Sequence, residues 1–197
     1  LAFARVKSFH LRQVNKSFKF KDRYGNQLAY KYTPLDKVGI YVPGGKASYP
    51  STVIMNSVPA IVAGVKNICA TVPAPNNMVN AGVIYAAKVC GIKKIFKVGG
   101  AQAIAALTYG TKTIDKVDKI VGPGNIFVAT AKKEVFGQVG IDMIAGPSEI
   151  TVIAGLENNP TWTALDLLSQ AEHDELSQSV LITKSSSFAN KVNNEVK

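Results

Sequence analysis

From Lys37 onward, short β-branched runs alternate with Ala-rich helical stretches, and this alternation limits the fold more than any other feature of the chain. It predicts strands over residues 38–42, 67–71, 94–98, 119–121, 149–154 and 179–183. Helices are expected near residues 52–63, 77–90, 101–109, 126–136 and 162–174. Strands that are apolar along their whole length must be covered on both sides, so the pattern implies an α/β fold with a mainly parallel sheet flanked by helices. Pro59 falls inside the first of these helices, where it is expected to bend the backbone. Upstream, an amphipathic helix over residues 1–16 is followed by a hairpin that turns around residues 22–26, where Gly25 and Asn26 suit the turn. Glycine and proline cluster just after the strands: Pro43-Gly-Gly45, Pro73-Ala-Pro75, Gly99-Gly100, Gly122-Pro-Gly124 and Gly146-Pro147. In open α/β sheets these carboxyl-end loops are where ligands bind.

Composition narrows the class further. The chain has 197 residues, 47% of them hydrophobic, which is enough for one large or two small domains. Its apolar runs stop short of the roughly 20 residues that cross a bilayer. The first ten residues carry Arg5 and Lys7 without an apolar centre, unlike a signal peptide. Cys69 and Cys90, the only cysteines, lie in apolar settings and read as buried thiols of a cytoplasmic protein. The formal charge of +10 is uneven: residues 1–37 hold nine Lys/Arg against Asp22 and Asp36. That basic segment also carries Phe9, Phe18, Phe20, Tyr24, Tyr30 and Tyr32, so nucleic-acid binding has to be weighed. Arginine occurs only at positions 5, 12 and 23, however, and the aromatics follow strand periodicity. A hairpin with an apolar face accounts for them, and neither nucleic acid nor membrane is expected as a partner.

The usual nucleotide fingerprints are absent. No G-x-G-x-x-G follows a strand, and Val42-Pro-Gly-Gly-Lys46 lacks both the spacing and the Ser/Thr of a phosphate loop. Gln102 and Asn125 each open a helix just after a glycine loop, beside backbone N–H groups that could meet an anion or a carbonyl. Taken locally, Asn125 reads as a helix cap and Gln102 as a surface residue. Gln170 and His173 stand at i and i+3 and share a helix face. Imidazole is a common zinc ligand and an amide oxygen an unusual one, so this pair alone does not make a metal site. With two histidines in the chain, no Ser–His–Asp or Cys–His nucleophile arrangement has independent support.

Five longer motifs, in order, resemble the histidinol dehydrogenase family. They are Val38-Gly-Ile-Tyr-Val-Pro-Gly-Gly-Lys-Ala-Ser-Tyr-Pro-Ser51, Val98-Gly-Gly-Ala-Gln-Ala-Ile-Ala-Ala-Leu107, Val117-Asp-Lys-Ile-Val-Gly-Pro-Gly-Asn125, Ile141-Asp-Met-Ile-Ala-Gly-Pro-Ser-Glu149 and Asp166-Leu-Leu-Ser-Gln-Ala-Glu-His-Asp174. The resemblance implies two incomplete Rossmann-like domains without the glycine fingerprint, the second inserted in the first. Residues 41–147 would form the inserted domain, and residues 1–40 and 148–197 parts of the other. It further implies zinc-requiring, NAD-dependent oxidation of L-histidinol through the aldehyde to L-histidine by a cytoplasmic homodimer. By motif, Tyr41, Gln102 and Asn125 would contact NAD, and Ser148, Gln170 and His173 would border the substrate. Gln170 and His173 would also ligate zinc. The family's acid–base Glu-His pair and its remaining zinc ligands have no counterpart in these residues, so the isolated chain is expected to be inactive. Two other readings compete: a dehydrogenase of another small polar alcohol, and a short non-catalytic homologue acting as a binding module.

Overall fold

A computed structural model describes residues 1–44, 48–144, 148–172 and 177–197. The chain divides into two compact units, Leu1–Ile144 and Ala145–Lys197.

The first unit is built on five parallel strands: β3 (Lys37–Tyr41), β4 (Asn67–Thr71), β5 (Lys94–Phe96), β6 (Lys119–Val121) and β7 (Gly140–Ile141). Their order across the sheet is β5-β4-β3-β6-β7. Counted from β3, this is the 3-2-1-4-5 sequence of a doubly wound sheet. Strand alternation sends neighbouring side chains of β3 to opposite faces. Val38 and Ile40 pack with Val53 and Val58 of α2 (Pro50–Val62) and with Val83, Ala86 and Ala87 of α3 (Ala81–Val89). Tyr41 joins the other layer, with Ala103, Ile104 and Leu107 of α4 (Gly100–Tyr109) and Val128 and Val135 of α5 (Ile126–Val135). Gly39 leaves room for Leu107, whose Cδ2 would stand 2.9 Å from any Cβ placed there. The expected parallel sheet with helices on both faces is therefore what forms.

Local chemistry moves several boundaries. The N-terminal helix ends earlier than expected, as α1 (Ala2–His10) followed by a 3₁₀ turn at Leu11–Gln13, before Val14 becomes extended. Helix α3 begins at Ala81 rather than near 77, because Asn76 and Asn77 take positive φ and Asn80 caps Gly82 N–H. Strand β5 stops at Phe96, where Val98 N–H turns back to the Phe96 carbonyl at 2.9 Å. Strand β7 goes unannounced in the sequence because two residues carry no readable period.

The hairpin forms as expected from β1 (Phe18–Lys21) and β2 (Gln27–Tyr30), with Phe18 opposite Tyr30 and Phe20 opposite Leu28. The rings of Phe18 and Tyr30 stack with centroids 6.0 Å apart, yet every residue of both strands is exposed. By its contacts, the segment before residue 41 groups with the five-stranded sheet: Phe3 and Val6 of α1 pack on its core, and β3 already starts at Lys37. Both cysteines are free, and burial raises each thiol above its ordinary range, as suits structural thiols.

The second unit pairs β8 (Glu149–Ile153) in parallel with β9 (Gln178–Ile182) across α6 (Pro160–Ala171). An eleven-residue helix, α7 (Ser186–Val196), was not expected from the alternation. Ser185 caps it by accepting from Phe188 N–H, and its Phe188 and Val192 close the small core with Ala164 and Leu167.

Leu107 is fully buried between β3 and α4. Leu107→Ala is expected to cost about 2–5 kcal/mol, read from urea unfolding followed by circular dichroism. A loss below about 1 kcal/mol would contradict this packing.

Candidate functional site

Strand β3 is followed through α2 by β4 on one side, while β6 pairs with its other edge. Chain connections therefore leave β3 and β6 in opposite directions, and the crevice over their carboxyl ends is where such sheets take ligands. Gly122, just after β6, lies at this point with φ +112°, and a Cβ there would collide with the Tyr41 carbonyl oxygen. Only glycine meets both conditions. Across the same edge, Gly99 packs against the Pro73 ring, joining the loops after β4 and β5.

Tyr41 ends β3 with its side chain buried, and its hydroxyl accepts a hydrogen bond of 3.0 Å from Gly100 N–H at the start of α4. Gln102, exposed in the first turn of α4, folds back so that Oε1 stands 2.7 Å from where a Gly100 Cβ would be. Asn125 is the N-cap of α5: its side-chain oxygen accepts from Val128 N–H at 3.2 Å. The structure thus brings Tyr41 and Gln102 together around Gly100 and places Asn125 on the neighbouring loop of the same edge. The local reading of Asn125 as a cap and of Gln102 as a surface residue matches these contacts.

Sequence reasoning missed the most heavily bonded group at this edge. Lys132 of α5 is buried, donates to the Gly122 carbonyl at 3.0 Å and forms an ion pair with Asp142. Asp142 in turn accepts from Gly122 N–H at 2.7 Å. A signal was available: Val128, Ala129, Lys132 and Val135 fall on one helical stripe, and they are the buried residues of α5. A lysine on an apolar stripe calls for a buried partner.

The remaining candidates belong to the second unit. Ser148 precedes β8 and is exposed, and its carbonyl accepts from Gln178 N–H at the start of β9. Helix α6 connects two parallel strands, so it runs back to bring half-buried Gln170, in its last turn, to the same amino-terminal end of the pair. His173 lies outside the described residues. No group of three or more His, Cys, Asp or Glu that could hold a metal occurs among the described residues. As a donor set, one amide oxygen and one imidazole suit zinc but fill only half a shell.

Three comparisons bear on this arrangement. The family model described as histidinol dehydrogenase matches residues 1–197. The chain belongs to the histidinol dehydrogenase family. Among its curated relatives, the histidinol dehydrogenase of Hydrogenovibrio crunogenus is 58% identical over 192 residues, covering 98% of this chain and 44% of its own length. That of Acinetobacter baylyi is also 58% identical over 192 residues, covering 98% of this chain and 45% of its own length. The crystal structure of histidinol dehydrogenase from Elizabethkingia anophelis superposes with a TM-score of 0.91 at 42% identity, over 99% of this chain and 46% of that one. The chain thus spans less than half the length of the histidinol dehydrogenases it matches.

Tyr41→Phe removes the acceptor of the half-buried Gly100 N–H, and losing one such hydrogen bond costs about 0.5–1.5 kcal/mol. The variant is expected to exchange the Gly100 amide hydrogen faster than the parent, while amides in β4 keep their protection. Unchanged exchange at Gly100 would refute the anchoring role of the hydroxyl.

Proposed function

We propose that this chain is part of a histidinol dehydrogenase, an oxidoreductase of histidine biosynthesis that converts L-histidinol through the aldehyde to L-histidine with NAD and zinc. One observation carries the reading. The loops after β3, β5 and β6, which bear three of the five motifs shared with the family, stand at one carboxyl edge of a 3-2-1-4-5 sheet, at its switch point.

In this reading Tyr41, Gln102 and Asn125 face the dinucleotide. Their observed contacts suit that role, because the Tyr41 hydroxyl holds Gly100 and with it the N-terminus of α4, while Asn125 caps α5. Two helix N-termini then present first-turn N–H groups at the edge, a setting that favours an anionic ligand. Ser148, Gln170 and His173 border the alcohol substrate in the second unit, and Gln170 and His173 contribute half of a zinc shell. Gln170 and His173 would help hold a zinc ion that, when bound, would supply a template for the substrate's imidazole and amino groups, and NAD would supply the hydride acceptor. The general base and the remaining zinc ligands are proposed to come from residues other than these 197. Residues 41–147 are proposed as a domain inserted within the one formed by 1–40 and 148–197 in the complete protein, a cytoplasmic homodimer, with α1 and the first residues of β3 packing onto the inserted domain across that boundary.

Two measurements test the reading. The 197-residue chain alone is expected to give no histidinol-dependent NADH, and detectable turnover would refute the claim that it lacks the acid–base groups. In the complete protein, His173→Ala and Gln170→Ala are each expected to lower bound zinc, measured by metal analysis after dialysis. Unaltered zinc content in both would remove them from the metal site.

A further inference from the structure

Lys132 and Asp142 stand apart from every residue assigned so far. A lysine that is 3% exposed is costly to bury, and pairing it with Asp142, whose side chain is only partly covered, is seldom worth more to stability than apolar residues of the same volume. What this pair does uniquely is geometric. Asp142 Oδ2 accepts from Gly122 N–H at 2.7 Å, Lys132 Nζ donates to the Gly122 carbonyl at 3.0 Å, and the two side chains pair with each other. Both peptide groups of Gly122 are therefore held by one ion pair. Gly122 needs such restraint, since its φ of +112° is open to glycine in a way that leaves the loop free to turn elsewhere. The helix supplies the reach: Lys132 lies two turns after Asn125, and side chains on a helix lean toward its N-terminus. Asp142 comes from the segment just after β7, so the clamp spans the loop that precedes α5 and the strand that follows it.

We infer that Lys132 and Asp142 are positioning residues for the dinucleotide, acting through the orientation of the Gly122-Pro-Gly-Asn125 loop and not through the residues proposed to border the alcohol. The inference rests on the reading that this loop faces NAD. Its consequence is a split: loosening the clamp weakens NAD use and leaves histidinol use nearly untouched.

The experiment takes the complete protein and compares Lys132→Met, Asp142→Asn, Lys132→Arg and the double variant Lys132→Met with Asp142→Leu. The double variant leaves no unpaired charge but takes both hydrogen-bond partners from the buried Gly122, so it is expected to fold with a melting temperature only modestly below the parent's. Its KM for NAD is expected to rise about ten- to a hundredfold, as when a positioning group is lost, with the KM for histidinol changed less than about threefold. Lys132→Arg, which keeps charge and reach, is expected to recover part of the loss. A folded double variant with the parent's KM for NAD overturns the inference. So does a double variant that fails to fold, because the pair would then serve the core rather than the loop. Equal rises in both KM values, or a loss of kcat alone, overturn it as well. If the unaltered protein shows no NAD-dependent turnover, the reading of the site falls and the inference with it. A parent that turns over with saturable NAD, beside variants that do not differ from it, removes the inference alone.

Discussion

Strand β3 is hydrogen-bonded along both edges, to β4 through Lys37–Tyr41 and to β6 through Val38–Ile40, and the rest of the first unit depends on that double pairing. A strand with two parallel neighbours and a helical layer on each face has no solvent side, so each of its positions is committed. Val38 and Ile40 serve one layer, Tyr41 the other, and Gly39 is small because Leu107 occupies the space a side chain would take. The amino end is secured in the same way, by Asp118, whose carboxylate accepts from Asp36 N–H and Lys37 N–H. At the carboxyl end Tyr41 does two things at once. Its carbonyl lies against Gly122, and its hydroxyl holds Gly100 N–H. One residue thus ties the loops after β5 and β6 to β3.

That arrangement changes how the glycine-rich loops are understood. Glycine clusters after strands invite a reading as ligand cradles, but at Gly99 and Gly122 the space is already taken by the protein itself, by Pro73 and by the Tyr41 backbone. Close packing of loop on loop is the immediate reason for these residues, and a shaped edge for a ligand is its consequence. The same holds for the family positions. Tyr41 and Asn125 each commit a polar atom to a backbone N–H of the chain, and Lys132 with Asp142 commit theirs to Gly122. Polar groups at this edge are thus committed to the chain's own backbone, in separate bonds at Gly100, Gly122 and Val128.

The second unit is simpler. Among the described residues of its two parallel strands and two helices, Ala164, Leu167, Phe188 and Val192 form the buried apolar core. Ile150 and Val152 turn inward against them, while Ile153, Val180 and Ile182 remain exposed on the alternate positions. Parallel strands are ordinarily covered on both faces. The unit is organised at its amino-terminal end, where Ser148 and Gln170 both lie because α6 runs back antiparallel to the strands it connects.

Much of this was legible in the residues. Strands β3, β4, β5, β6 and β8 are short, mostly apolar runs followed within a few residues by glycine or proline, so strand and helix could be assigned from periodicity, and five ordered motifs identified the family. The errors are those of short-range chemistry, as at Asn76 and Asn77, whose positive φ delays α3, and of elements passed over, β7 because two residues show no period and α7 although Phe188, Val192 and Val196 recur every four residues in an otherwise polar segment. Strand order was not legible. That β6 lies beside β3 rather than β5 is decided by contacts between segments far apart in the chain, such as Lys37 N–H with Asp118 across 81 residues. The same is true of Lys132, which by type belongs in water and by position belongs in the core. The sequence alone determined which segments must be buried, because burial follows from the period of apolar side chains. Only the tertiary structure decided which buried segments meet, because pairing and charge compensation depend on partners that local pattern cannot name.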